Sequence, residues 1–195
     1  MNVKSLRNIL IAGVLFLAII YCAQAETEQA ELASKIVRLH VVANSDSEAD
    51  QAYKLQVRDR VLAELAPVLA GSAGRDEALR RIASAMPELS AKFPDCEISI
   101  ANERFPERQY DTFALPAGEY TALRVTIGSG AGRNWWCVVF PALCLEAAEA
   151  ENSDSADAFA LLSDEEVELI TGSDSGYVIK FKLLEIIERL KAALS

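Results

Sequence analysis

Fifteen apolar, uncharged residues, Ile9 to Ala23, follow Lys4 and Arg7 and end on Ala23-Gln24-Ala25. Basic, then apolar, then small-x-small is the order of a secretory signal, so residues 1–25 are expected to stand outside whatever the remainder folds into. A helix of that run rises about 22 Å, short of the roughly 30 Å hydrocarbon core of a bilayer, which favours removal after Ala25 over a permanent span. An uncleaved anchor is the alternative. Cys22 is not read as a lipidation site, because bulky Tyr21 precedes it where a small residue is needed.

Residues 26–195 are then expected to form one extracytoplasmic domain, long enough to bury a single core. Nineteen basic residues stand against 29 acidic ones, a net charge of −10, and loss of Lys4 and Arg7 makes the remainder two units more negative. A chain with this balance and no basic block gathers no phosphates by counterion release. Nucleic acid is therefore not an expected partner, and the membrane is one only through the N-terminal segment, if that stays uncleaved. Cys96, Cys137 and Cys144 are too few for a disulfide scaffold and lack the spacing of a thiolate cluster, and His40 is the single histidine. No metal site and no cofactor are expected.

Ile36 to Ala43 is β-branched and apolar and runs into Asn44-Ser45-Asp46-Ser47, which reads as a strand entering a polar turn, with Arg38 and His40 on one face and Leu39 and Val41 on the other. Ser45 and Glu48 fit a capping box for a helix over Ser47–Ala70, striped by Leu55, Val61, Leu62, Leu65, Val68 and Leu69 and stopping near Gly71. A second helix runs from Arg75 to Met86, and Pro87 is expected to interrupt it. From Cys96 the period becomes two, with Ile98 and Ile100 alternating against Glu97, Ser99 and Ala101. After a turn at Pro116–Glu119, Tyr120, Ala122, Arg124 and Thr126 oppose Thr121, Leu123, Val125 and Ile127 in a central strand. A connector over about 146–176 is acidic, with one short helix capped by Ser163 and Glu166. The closing segment sets Ile179, Leu183, Ile186, Ile187, Leu190 and Leu194 on one helical face. The expected fold is α+β: a mixed sheet of three to four strands packed by the Ser47–Ala70 helix and a C-terminal amphipathic helix.

Arg38-Leu-His-Val-Val-Ala-Asn-Ser-Asp46, Phe105-Pro106, Tyr110, Leu115-Pro-Ala-Gly-Glu-Tyr120, Ala122-Leu-Arg124, and the block from Gly128 through Asn134-Trp-Trp-Cys-Val-Val-Phe-Pro-Ala-Leu-Cys144 together resemble the stage II sporulation protein R family. The resemblance extends to Phe181-Lys182 and Glu185 and skips the acidic connector. It implies a protein of spore formation, made in the forespore and exported toward the intermembrane space. There the family activates a membrane-bound aspartic protease that removes the pro-segment of the mother-cell sigma factor E. The implied role is direct contact with the protease, without catalysis.

Several residues carry competing readings. Gly128, Gly130 and Gly132 after a strand could cradle an anion with backbone N–H groups, but Arg133 occupies the last glycine position of a dinucleotide loop and no Lys-Ser/Thr pair follows. Tight packing around Trp135 and Trp136 is the simpler reading. Of those indoles, one is expected in the core and one partly exposed, where it would serve with Asn134 and the glycine loop as a partner-binding surface. Cys137, His40 and Asn44 are the parts of a thiol hydrolase triad, yet His40 lies in mid-strand and Cys137 in an apolar run. The structural alternative is a core His40 hydrogen-bonded near Asn44 or Asp46, with Cys137 a structural sulfur, and Arg124 is a further structural candidate. An envelope-binding module using the glycine loop is a further one. Asn44, Asp46, Glu48 and Asp50 alternate as calcium ligands would, but lack the glycine and distal glutamate of such a loop, and helix capping explains them. Cys137 and Cys144 are candidates for a disulfide. Seven residues span about 10.5 Å on a helix and about 23 Å on a strand, beyond the roughly 7 Å a disulfide tolerates, so the bond requires a reversal, and Pro141 is the residue able to break the path.

Overall fold

The computed structural model describes residues 2–110, 113–143 and 159–172. It opens with one unbroken helix, α1 (Val3–Lys35), capped by Asn2. By length and composition α1 can cross a membrane, and its apolar side chains Val3, Ile9, Leu10, Phe16, Leu17 and Ile19 are exposed. The expected boundary at Ala25 falls inside it. Ala25, Leu32, Ala33 and the following Ile36 are buried, so the last turns belong to the domain. Residues 26–35 carry only Leu32 and a few alanines as apolar side chains, too thin a stripe to announce a helix.

Strand β1 (Val37–Val42) is buried at all six positions. Helix α2 (Glu48–Leu69) starts at Ser47, whose hydroxyl accepts from the Asp50 N–H. This corrects the expected Ser45–Glu48 box: Ser45 instead donates its hydroxyl to Asp50 Oδ2 at 2.5 Å. Val57, Val61, Leu62, Leu65 and Leu69 face the core while Leu55 is exposed, and Gly71 turns the chain with φ 68°. Helix α3 (Arg75–Lys92) runs straight through Pro87. Proline removes one intrahelical hydrogen bond, and here the burial of Leu89 and Phe93 beyond it outweighs that loss.

Strands β2 (Cys96–Phe105), β5 (Gly118–Ile127) and β6 (Asn134–Phe140) join β1 in a sheet of order β2-β5-β1-β6, and β3 (Arg108–Gln109) pairs with β4 (Ala114–Leu115) as a separate hairpin. β1 and β5 are parallel, while β2 and β6 run antiparallel to their neighbours. The sheet is mixed, as expected. A short helix, α4 (Asp164–Thr171), has the full capping box of Ser163 and Glu166. The helix expected over Ile179–Leu194 lies outside the described residues.

Period two divides the sheet between two cores. One face, with Leu39, Val41, Leu123, Val125 and Ile127, meets α2 and α3 through Val57, Val61, Leu65, Ile82 and Leu89. On the other, Tyr120, Ala122 and Val138 meet Leu32, Ala33 and Ile36 of α1 and its sequel, together with Phe113, Leu115, Leu162 and Ile170. Among the described residues that second layer covers only part of its face. The strand positions beyond it remain polar and partly open.

Candidate functional site

Strand register sets Ser99, Arg124, His40 and Trp136 side by side across all four strands, on the face that α1 partly covers. Within this row His40 is clamped from both sides: Nδ1 lies 2.6 Å from Glu103 Oε2 and Nε2 lies 2.9 Å from Asn134 Oδ1. Each ring nitrogen thus faces an oxygen. Glu103 reaches across β5 to do this, and the short Ala122 side chain between the two strands leaves it room. Its other oxygen takes Arg124 Nη1 at 3.4 Å, while Arg124 Nε donates to Thr126 Oγ1 at 3.1 Å. The Trp136 ring stacks on His40, centroids 5.7 Å apart, and Arg108 lies 4.0 Å over the same indole. The expected hydrogen bonds from His40 to Asn44 or Asp46 are not formed. The sheet directs the imidazole away from the turn that follows β1.

Asn44 and Asp46 bind the glycine loop instead. Ser129 N–H donates to Asn44 Oδ1 (3.0 Å), Ala131 N–H to Asn44 O (3.1 Å), Gly132 N–H to Ala43 O (2.8 Å) and Arg133 N–H to Asp46 Oδ1 (2.7 Å). Gly128 N–H donates to Asp95 O and Gly130 N–H to Ile127 O. Every backbone N–H from 128 to 133 is therefore spent on the protein itself, which leaves none to cradle an anion. Gly128 and Gly130 take φ of 53° and 62°, and a Cβ on Gly132 would collide with the Ser45 carbonyl oxygen, so the glycines are explained by the turn they make. Asp50 accepts from Ser45 and Asn44, and those bonds, Ser45 first, hold its carboxyl below the usual range. Among the described residues no cluster of histidine, cysteine and carboxylate side chains suits a metal.

Both tryptophans are half-buried, which corrects the expectation of one in the core and one outside. Trp135 touches both cores and carries Arg58 at 4.9 Å over its ring, so each indole is shielded by an arginine. Cys137 is buried and disulfide-bonded, and Cys22 and Cys96 are free thiols. Cys144 lies outside the described residues. A bonded Cys137 offers no thiolate to His40. The peptide between Phe140 and Pro141 is cis.

Further along the same face, Arg38 is wholly buried. Nη2 donates to the Tyr110 hydroxyl (2.6 Å), Nε to the Cys137 carbonyl (3.4 Å), and the guanidinium lies 4.2 Å over the Phe105 ring and 5.1 Å over Tyr120. Nη1 has no partner. Desolvation by burial pulls its pKa down against the raising effect of Tyr110 and Tyr120, and burial pushes Tyr120 up to about 12. Glu103 and Arg108 were not singled out from the sequence. For Glu103 the signal was present, since the alternation seen at Ile98 and Ile100 continues in phase to Glu103 on the face of Ser99 and Ala101. Nothing in the sequence tells that His40 sits within reach.

The family described as Stage II sporulation protein R matches residues 33–150. The chain is 36% identical over 131 residues to "Stage II sporulation protein R" of Bacillus subtilis (strain 168), a match covering 62% of this chain and 58% of that protein, under two thirds of its length. No solved structure matches.

Proposed function

The chain belongs to the stage II sporulation protein R family, which gives it a sporulation-related role, and from that premise we propose that it is an exported signal that activates a membrane-embedded protease by direct contact. The protease is the aspartic enzyme that processes the precursor of the mother-cell sigma factor E, and the signal acts from the intermembrane space after export from the forespore. The observation that carries this reading is the half-open sheet face, where Trp136, Asn134 and Arg124 stand at a surface that no helix among the described residues covers. Aromatic and arginine side chains over a rigid sheet are the usual anchors of protein contacts. Glycines 128, 130 and 132 fix the loop that sets Asn134 at the edge of β6. The chain supplies no catalysis of its own in this reading, since Cys137 is bonded and His40 is engaged by Glu103 and Asn134.

Export is required on this reading, and α1 is apolar enough to serve as signal or anchor. Removal of residues 2–25 should abolish sigma factor activation while leaving a folded domain, because the buried turns around Leu32 and Ile36 are retained. Full activation by the truncated protein held in the forespore cytoplasm would sink the reading.

A further inference from the structure

We propose that the cleft between α1 and α4 binds an alkylammonium cation, the head group of a lysine side chain or of a free polyamine. The site lies apart from the open sheet face and does not rest on the contact reading above.

Packing holds the cleft in shape. Leu32 and Ala33 of α1 share one core with Leu162, just before α4, and Ile170 within it, so the two helices are fixed side by side. Between them a cavity of about 220 Å³ is lined by Glu28, Glu31, Ser163, Glu165, Glu166 and Leu169. Lys35 answers two of these four carboxylates, at 3.9 Å from Glu31 Oε1 and 2.7 Å from Glu166 Oε2. Glu166 is the most deeply buried of the lining residues, 7% exposed, and its two oxygens are unequal. Oε2 closes the capping box by accepting from the Ser163 N–H at 2.7 Å, and it takes Lys35 Nζ as well. Oε1 is buried with no hydrogen-bond partner. Capping therefore accounts for one oxygen and leaves the other bare. Buried carboxylate oxygens are ordinarily satisfied, and one left open in the wall of an acidic cavity points to a cationic donor that enters there. Among the described residues no other carboxylate oxygen is buried without a partner.

The geometry also selects the cation. These carboxylates do not converge as a metal site requires. A guanidinium presents a flat fork that takes both oxygens of a carboxylate, and Glu166 Oε2 is already engaged. An ammonium is compact and carries three separately aimed donors. It can give one to Oε1 and leave the others for Glu31 and Glu165, which are exposed at the rim. Leu169, half-buried in the wall, suits the methylene stem behind such a head group. The cavity is smaller than the roughly 300 Å³ at which drug-sized sites begin, so it admits one stem and not a bulky ligand.

The test is calorimetric titration of the full chain in detergent micelles with cadaverine and with glycine-flanked peptides carrying one lysine, one arginine or one norleucine. Cadaverine or the lysine peptide should bind, the arginine peptide more weakly and the norleucine peptide not at all. Binding of cadaverine alone assigns the cleft to free amines, and binding of the lysine peptide assigns it to a protein partner. Glu166→Gln should weaken binding by about tenfold or more, and it keeps the capping box, because glutamine serves at that position. Glu165→Gln, at the exposed rim, should weaken it severalfold, and it keeps the test decisive if the first variant fails to fold. Glu48→Gln, exposed at the start of α2 on the other side of the sheet, should leave binding unchanged, which separates the cleft from the general pull of a chain of net charge −10. The proposal is overturned if neither amine binds, if the arginine or norleucine peptide matches the lysine one, or if the cleft variants behave like Glu48→Gln.

Discussion

Arg38 and Arg124 project from neighbouring strands onto the same face of one sheet, two residues apart in register, yet they live in different solvents. Arg38 lies under α1 with its charge against aromatic rings and, among the described residues, no carboxylate beside it. Arg124 stands in the uncovered half, sharing Glu103 with His40. The difference teaches that the face is divided by its cover. Where α1, the β3–β4 hairpin and α4 reach, polar groups are absorbed into a core, and where they stop, the same alternation leaves Arg124 and Thr126 half-buried and Glu97 exposed. One half holds the fold, and the other is left uncovered among the described residues.

The largest effects should come from the sealed half. Arg38→Ala removes a fully buried side chain packed on Phe105 and Tyr120 and takes a donor from the Tyr110 hydroxyl, which keeps its own bond to the Trp136 carbonyl, and should cost about 4 kcal/mol in chemical denaturation. Arg38→Met, which fills the same space without a charge, should stay within about 1 kcal/mol of the parent, because a buried charge without a carboxylate contributes little net stability. A large loss in the methionine variant would show that the guanidinium itself stabilises the core. Leu32→Ala should cost about 3 kcal/mol. A negligible loss would mean that the last turns of α1 are not part of the domain.

Alkaline titration separates the halves more finely. Burial raises Tyr120 from 10.0 to about 12, so the folded state holds its proton more tightly than the unfolded chain does. The corresponding stability is full below pH 10 and is lost as pH rises through 12, by up to about 3 kcal/mol. Tyr120→Phe should flatten the difference in denaturation midpoint over that window, and an unchanged slope would contradict the burial. The smallest stability effects belong to the open half, where Trp136→Ala and Arg124→Gln should each change stability by about 1 kcal/mol or less while weakening partner binding.

Much of this division is written in the sequence, though not the part that assembles the site. The alternation through Arg38–Val42 and Tyr120–Ile127 sorts side chains to faces because strand period is local. The α2 stripe is readable for the same reason, and Leu55 misleads because it lies two residues before Val57, off the face that Val57, Val61, Leu65 and Leu69 line at i, i+4. Pro87 misleads in the other direction, since the core residues that carry α3 past it lie after it in the chain. The meeting of His40 with Glu103 depends on which strands are neighbours and on Ala122 being small at the crossing. Those are tertiary facts with no local signature. The docked end of α1 is hidden likewise, as Leu32 and Ile36 become a core only once Phe105 and Tyr120 face them.

Photo-crosslinking tests the division most directly. A photoreactive phenylalanine analogue placed at Trp136, and in a second protein at exposed Ala63 on α2, would be activated with the protease's extracytoplasmic part present. Crosslinking from position 136 and not from 63 is expected. Crosslinking from 63 with none from 136 would contradict the assignment of the open sheet face as the contact surface.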